Sequence, residues 1–213
     1  MKNILRSAIY MLGLGLLAFG IALSVKADLG ISPISSVAYC GSVITNLNYG
    51  LVNFTLYTLF VAAQFALRGK QSRILDLLQL VVSVVFSWVM DRLVTGIPYV
   101  ATDHSFMENI GLLLVSILFI GVGVSWSVKM RMIPNPGDGI VQALADRVGW
   151  EQGTAKNVFD ISCVCVTTLL GLVFGGRLIG IGVGTVISML LVGRVVALTN
   201  RFVTKKLCAA VGL

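Results

Sequence analysis

Apolar residues along this chain come in runs at 7–25, 51–67, 74–94, 110–128, 158–174 and 178–199, and polar residues collect in the stretches between them. A helix rises ~1.5 Å per residue, so each run is close to the ~20 residues that cross ~30 Å of hydrocarbon. None of them alternates apolar and polar with the period of two that a membrane barrel needs. A helix also satisfies its own backbone where no water can. The pattern predicts an all-α membrane protein with six transmembrane helices.

Two stretches break the pattern where no linker is needed, "ISPIS" at 31–35 and "PNPGD" at 134–138. Ser32 and Asn135 are cap residues, Pro33 and Pro136 suit a first helical position, and Ser35 and Asp138 supply a polar acceptor at the third. This is a helix start written twice. The short helices it predicts, 33–46 and 136–148, reach about 20 Å, too little to span. Each either dips into the membrane and returns, with its N-terminus near the mid-plane, or lies flat on the surface as an amphipathic helix. The first, "ISSVAYCGSVITNL", lacks the charged face of a surface helix, and the second carries Asp146 and Arg147 only at its far end, so the re-entrant form is preferred.

Sliding the sequence on itself by 103 residues sets Gly20, Ser24, Val25, Lys26, Pro33 and Gly50 on Gly123, Ser127, Val128, Lys129, Pro136 and Gly153. The basic turns Arg68-Gly69-Lys70 and Gly175-Gly176-Arg177 also correspond after a small shift. The chain therefore reads as two repeats, 1–103 and 104–213, of one long helix, a breaker, a short helix and two further long helices. Three spans per repeat invert the second copy relative to the first.

Composition and charge sharpen this picture. The chain is 57% hydrophobic and 12% charged, where soluble domains carry roughly 25% charge. With a re-entrant short helix in each repeat and the N-terminus cytoplasmic, only Lys26, Arg92 and Arg177 of the 16 Lys and Arg residues lie outside. If the short helices crossed fully, seven would lie outside, so the positive-inside rule favours six spans and two cytoplasmic termini. The net charge of +7 forms no basic stripe with interleaved aromatics, which argues against nucleic acid as a partner. A basic start, an apolar stretch and "SVKA" before Asp28 resemble a cleavable signal, but the same segment recurs at 123–129, where no signal sits.

The segment "LSVKADLGISPISSVAY" after the first span, with "GIGVGTVISMLLVG" at 180–193, resembles the bacterial YczE/YyaS/YitT-like membrane proteins over nearly the whole chain. The resemblance implies a small polytopic protein of the bacterial inner membrane. It brings no catalytic residue to carry over.

Inverted repeats with interrupted helices suit alternating access around a site at the repeat interface. Helix N-termini, with their unpaired N–H groups and partial positive charge, suit an anionic group there. The expected function is secondary transport of a small organic anion or zwitterion. Ser32, Ser35, Ser36, Asn135, Gly137 and Asp138 are the candidate substrate-binding residues, and Asp138 and Asp160 the candidates for proton or ion coupling. Asp138 also reads as a simple cap on its own helix, and Asp160 as a charge that reaches the inner interface. Gln64 and Gln79 read as interhelical hydrogen-bonding groups, Lys26 and Lys129 as cations at helix C-termini, and Gly180, Gly182 and Gly184 as a packing face. Cys40, Cys163, Cys165 and Cys208 have no metal-ligand partners, and the lone His104 falls in a polar outer loop. No phosphate-binding loop, nucleophilic triad or metal cluster appears, so no enzyme, cofactor or metal is expected. The expected partners are membrane lipid and a small solute, with a homodimer left open. A substrate-binding subunit of an ATP-driven importer and a non-transporting membrane scaffold are the competing readings.

The topology is testable. In a cysteine-free background, His104→Cys should react with a membrane-impermeant maleimide in intact cells, and labelling only after lysis would overturn the six-span arrangement.

Overall fold

The computed structural model describes residues 2–69, 74–130, 132–204 and 207–208. Lys70, Arg73, Arg131, Lys205 and Lys206, which contribute to the inside count of positive charge, lie outside the described residues. Among the described residues the regular structure is helical, without strands. The α-helices are α1 (Lys2–Ala27), α2 (Pro33–Thr45), α3 (Tyr49–Arg68), α4 (Leu78–Gly96), α5 (Phe106–Lys129), α6 (Pro136–Val148), α7 (Gln152–Gly175) and α8 (Val183–Thr199). Six of them, all but α2 and α6, are long and apolar enough to cross a membrane. Their outward residues are apolar too: Val81, Val84, Val85 and Trp88 on α4, and Leu169, Leu172, Val173 and Phe174 on α7, are all exposed. Such surfaces are stable only against lipid.

Helix ends follow local chemistry. Asn48 caps α3 by accepting from Leu51 N at 3.2 Å. Ser105 opens α5 in a capping box, its backbone N–H donating to Glu108 Oε2 at 2.7 Å. Just before it, His104 stacks on Tyr99 with ring centroids 4.2 Å apart. Gly149 ends α6 at φ 76°, a conformation that costs glycine little.

The described chain falls into two compact units, and each draws on both halves of the sequence. The first comprises Met1–Ser32, Arg92–Met132 and Gly182–Leu213, and the second comprises Pro33–Asp91 and Ile133–Ile181.

In the first unit α1 lies along α5 with almost no side chain between the backbones. A Cβ added at Gly20 would sit 2.7 Å from Ile120 N and 2.8 Å from Ser116 O, and one at Gly123 would sit 2.5 Å from Leu17 N. Phe19 and Phe119 flank the contact edge to face at 5.1 Å. Arg6 of α1 donates from Nε to the Met130 carbonyl at 2.6 Å, so a cation meets the C-terminal end of α5. Ala27, Leu113 and Ile117 form a buried cluster completed by Ile187, Leu191 and Val195 of α8.

The glycine-rich entry to α8 has a specific cause. Gly184 N donates to Leu29 O at 2.6 Å, and a Cβ at Gly182 or Gly184 would lie 2.5 or 2.7 Å from that same carbonyl. Gly30, at φ 104°, lets the strand of chain 28–32 turn close to Gly182 and Thr185. The packing face read from the sequence is thus a docking place for backbone, and a carbonyl serves as part of the α8 cap.

The second unit packs α2 on α7, α3 on α6, and the consecutive pairs α2–α3 and α6–α7. Val141, Ala145, Ala155 and Phe159 make its α6–α7 core.

The α1–α5 contact predicts a sharp contrast between glycines. Gly123→Ala should destabilise the protein by about 1–3 kcal/mol, because backbone cannot yield to the new methyl. Gly15→Ala, which meets nothing within 4 Å, should be neutral or stabilising. Thermal unfolding in detergent distinguishes the two.

Candidate functional site

Helix α6 starts as its sequence dictates. Asn135 is the N-cap at φ −61° and ψ 138°, its Oδ1 accepts from Gly137 N at 3.1 Å, and Pro136 follows at the first helical position. The Asn135 carbonyl then accepts from Asp138 N at 2.9 Å and Gly139 N at 2.8 Å. The first donors of α6 are therefore largely satisfied by its own cap. Asp138 is partly buried.

Helix α2 starts at Pro33 with Ser35 and Ser36 both buried. The Ser36 hydroxyl pairs with Pro33 O at 2.7 Å and with the Thr167 hydroxyl of α7 at 2.9 Å, which commits it to packing. Thr167 in turn donates to Cys163 O at 2.8 Å, and Cys40 Sγ lies 3.7 Å from Thr167 O. Ser35 interacts with the Tyr49 hydroxyl. Five of the six candidate binding residues, Ser35, Ser36, Asn135, Gly137 and Asp138, lie in the second unit, whereas Ser32 closes a segment of the first. The two short helices meet at their starts: a Cβ at Gly137 would stand 3.3 Å from Ile34 Cδ1.

Helix α3 supplies the polar partners around this meeting point. Gln64 and Gln79 form a reciprocal amide pair, Gln64 Nε2 to Gln79 Oε1 at 3.2 Å and Gln79 Nε2 to Gln64 Oε1 at 3.1 Å. Gln64 also donates to Pro136 O at 3.3 Å. Gly139 is small for this reason, since its Cβ would fall 2.5 Å from Gln64 Oε1. Two turns before Gln64 on the same face of α3, the buried Tyr57 hydroxyl interacts with the side chains of Asn135 and Asn53, with Asp138 close enough to act on it electrostatically. Asn53 donates to Ser87 Oγ at 3.1 Å. Asp160 of α7 is held by Lys156, one turn earlier, with Nζ 2.5 and 2.6 Å from its two oxygens. Both charges act on Asp138.

The partner of Asp160 was available in the sequence, because a Lys four residues away on a helix faces the same side. Tyr57 carried a weaker signal: it stands opposite Asp160 in the repeat alignment, which marks a recurring polar position without naming its partners. The arrangement chemically resembles a partly buried carboxyl group with polar neighbours more than a preformed open anion site. Among the described residues no group of three or more His, Cys, Asp and Glu side chains gathers that could hold a metal ion.

Six apolar helices with lipid-facing surfaces, and a polar interior built at two broken segments, define a polytopic α-helical integral membrane protein. Residues 4–201 match a family described as a family of unknown function (DUF6198), and the chain belongs to that family. It is 25% identical over 191 residues to the uncharacterized membrane protein YczE of Bacillus subtilis (strain 168), covering 89% of this chain and 83% of that one. No solved structure matches.

The amide pair gives a stability test. Gln64→Leu leaves Gln79 and the Pro136 carbonyl without their partner and should cost about 1–3 kcal/mol. The double variant Gln64→Leu/Gln79→Leu should cost clearly less than the sum of the two single variants, as measured by unfolding in detergent.

Proposed function

We propose that this protein is a secondary transporter of a small organic anion or zwitterion, working by alternating access between two inverted repeats in the bacterial cytoplasmic membrane, with both termini inside. The observation that carries the reading is the meeting of the α2 and α6 starts in one compact unit, Ile34 against Gly137. In transporters, interrupted helices place their N-termini at a shared site in this way.

Contacts that occur in matched pairs support the duplication. Adding 103 to Ser36 gives Gly139, and subtracting 103 from Thr167 gives Gln64; Ser36 touches Thr167, and Gly139 abuts Gln64. The same shift carries the approach of Gly20 to Ser116 and Ile120 onto that of Gly123 to Gly13 and Leu17. Two copies of one unit facing each other produce such pairs. The 13 residues of α2 and of α6 reach about 20 Å, which suits helices that enter the membrane and stop.

In this reading Ser35, Asn135, Gly137 and Asp138 of the second unit surround the solute. A substrate carboxylate takes the Gly137 N–H by displacing the Asn135 side chain, and Asp138, with Asp160 behind it, serves as the coupling acid or the partner of a substrate ammonium.

The test is uptake by the purified full chain in phosphatidylethanolamine and phosphatidylglycerol liposomes, using radiolabelled organic acids and amino acids under an imposed pH gradient. The wild type should accumulate at least one solute. Asp138→Asn, which keeps a capping acceptor and should cost at most ~1 kcal/mol of stability, should abolish that uptake at matched reconstitution. Ser35→Ala should be milder. Binding without uptake would favour an importer subunit, and neither would favour a scaffold.

A further inference from the structure

Helix α3 begins against the last turns of α4, and a groove of about 270 Å³ opens between them, wholly within the second unit. Its floor is fixed by close packing. A Cβ at Gly50 would stand 2.8 Å from Asp91 Cβ and closer still to the Ser87 carbonyl, and one turn along α3 the Asn53 side chain donates to the Ser87 hydroxyl at 3.1 Å. Gly50 and Ser87 are both buried. The walls are Leu51 and Phe54 from α3 and Val84 and Trp88 from α4, and of these Leu51, Val84 and Trp88 are 50%, 52% and 61% exposed. They belong to the apolar surface of two spanning helices, so the groove opens sideways towards lipid.

One end of the groove is polar. It is lined by Asn48, the cap of α3, and by Asp91, which stands five residues before the end of α4 at Gly96. The ends of spanning helices lie where hydrocarbon gives way to headgroups, and an indole such as that of Trp88 favours the same level. A carboxylate there is costly unless a cation stands by it. It has about four acceptor positions, so Asp91 takes an ammonium alongside the contacts it makes within the chain. Asn48 spends its Oδ1 on Leu51 N at 3.2 Å, and the amide nitrogen of the same side chain is a donor suited to a phosphate. An apolar slot that ends in a negative group and a neutral donor complements an amphiphile whose head carries both an ammonium and a phosphate. An anionic head with glycerol on its phosphate brings Asp91 only like charge. A second copy of the chain fits less well, because stable interfaces engage about 20–30 residues a side and eight line this groove.

We propose that the α3–α4 groove is a binding site for a phospholipid with a primary ammonium headgroup, phosphatidylethanolamine. One acyl chain lies in the slot between Leu51, Phe54, Val84 and Trp88, the ammonium pairs with Asp91, and the phosphate takes the Asn48 amide. The volume agrees with this division, since a pocket that encloses a whole drug-sized ligand holds about 300–1,000 Å³ and this one holds a single chain with its head outside. The bound lipid touches both helices at once and so holds the start of α3 against α4. The site shares no residue with the start of α6 and stands whether or not the protein moves a solute.

The experiment titrates the full chain, purified in detergent, with phosphatidylethanolamine and with phosphatidylglycerol bearing the same acyl chains, and reads the retained lipid by native mass spectrometry. The wild type should hold one phosphatidylethanolamine with about tenfold higher affinity than phosphatidylglycerol, and Asp91→Asn should bring the two within about twofold of each other. Val84→Phe fills the slot from an exposed position that the core does not use, and should lose most of the bound lipid whatever its headgroup. Leu169→Phe, on the exposed face of α7, should behave as the wild type. Equal affinity for the two lipids, a preference that survives in Asp91→Asn, full retention in Val84→Phe, or equal loss in Leu169→Phe would each overturn the site. A dimer in the same spectra that Val84→Phe dissociates would give the groove to a second copy instead. If thermal unfolding shows that Asp91→Asn does not fold, the comparison of the two lipids on the wild type and on Val84→Phe decides by itself.

Discussion

Backbone groups at the ends of apolar helices have no partner within their own helix, and where water is scarce the chain itself must supply one. The rest of this architecture answers that demand. At one break the Leu29 carbonyl meets the start of α8 through Gly184 N. At the other, Asn135 folds over the first donors of α6 and Gln64 reaches the Pro136 carbonyl. The glycines at 30, 182, 184 and 139 stand where those solutions leave no room for a side chain. They follow from the hydrogen bonds, and the local packing follows from them.

The two compact units meet the demand differently. The first relies on backbone proximity, with glycine and serine at the α1–α5 crossing and few polar side chains committed across it. The second relies on side chains, the Gln64–Gln79 pair, the Ser36–Thr167 hydroxyls and the Asn53–Ser87 contact. Interhelical hydrogen bonds of this kind contribute about 0.6 kcal/mol each on average in membranes, so their value lies as much in fixing geometry as in stability. The Lys156–Asp160 pair, by contrast, runs along α7 itself, one turn apart.

Much of this was legible along the chain, and the division between legible and hidden is physical. The six long helices are read from length and apolarity alone, because a membrane imposes both. The start of α6 is read from Asn135 and Pro136, because capping is local chemistry that needs no tertiary partner. The interhelical use of Gln64 and Gln79 was also expected, as amides in lipid must find each other, although their pairing with one another was not. What stayed hidden depends on distant segments meeting: the interleaving of both sequence halves in each compact unit, the seat of Leu29 on the α8 entry, and the approach of Tyr57 to Asn135. Ser36 shows the limit most plainly. Its position at a helix start suggested a ligand group, and only the placement of Thr167 reveals a hydroxyl already engaged.

The glycine crossing of α1 and α5 also restricts how the first unit is able to move. Each glycine faces the backbone of the other helix, so the pair has a single register in which the surfaces fit. A slide by one turn, ~5.4 Å, would carry Leu16 or Phe119 into the place of a glycine and force the axes apart. Ratcheting of α1 past α5 is therefore closed as a mode of motion. The two helices behave as one axle, and any rearrangement of this unit must turn or tilt them together.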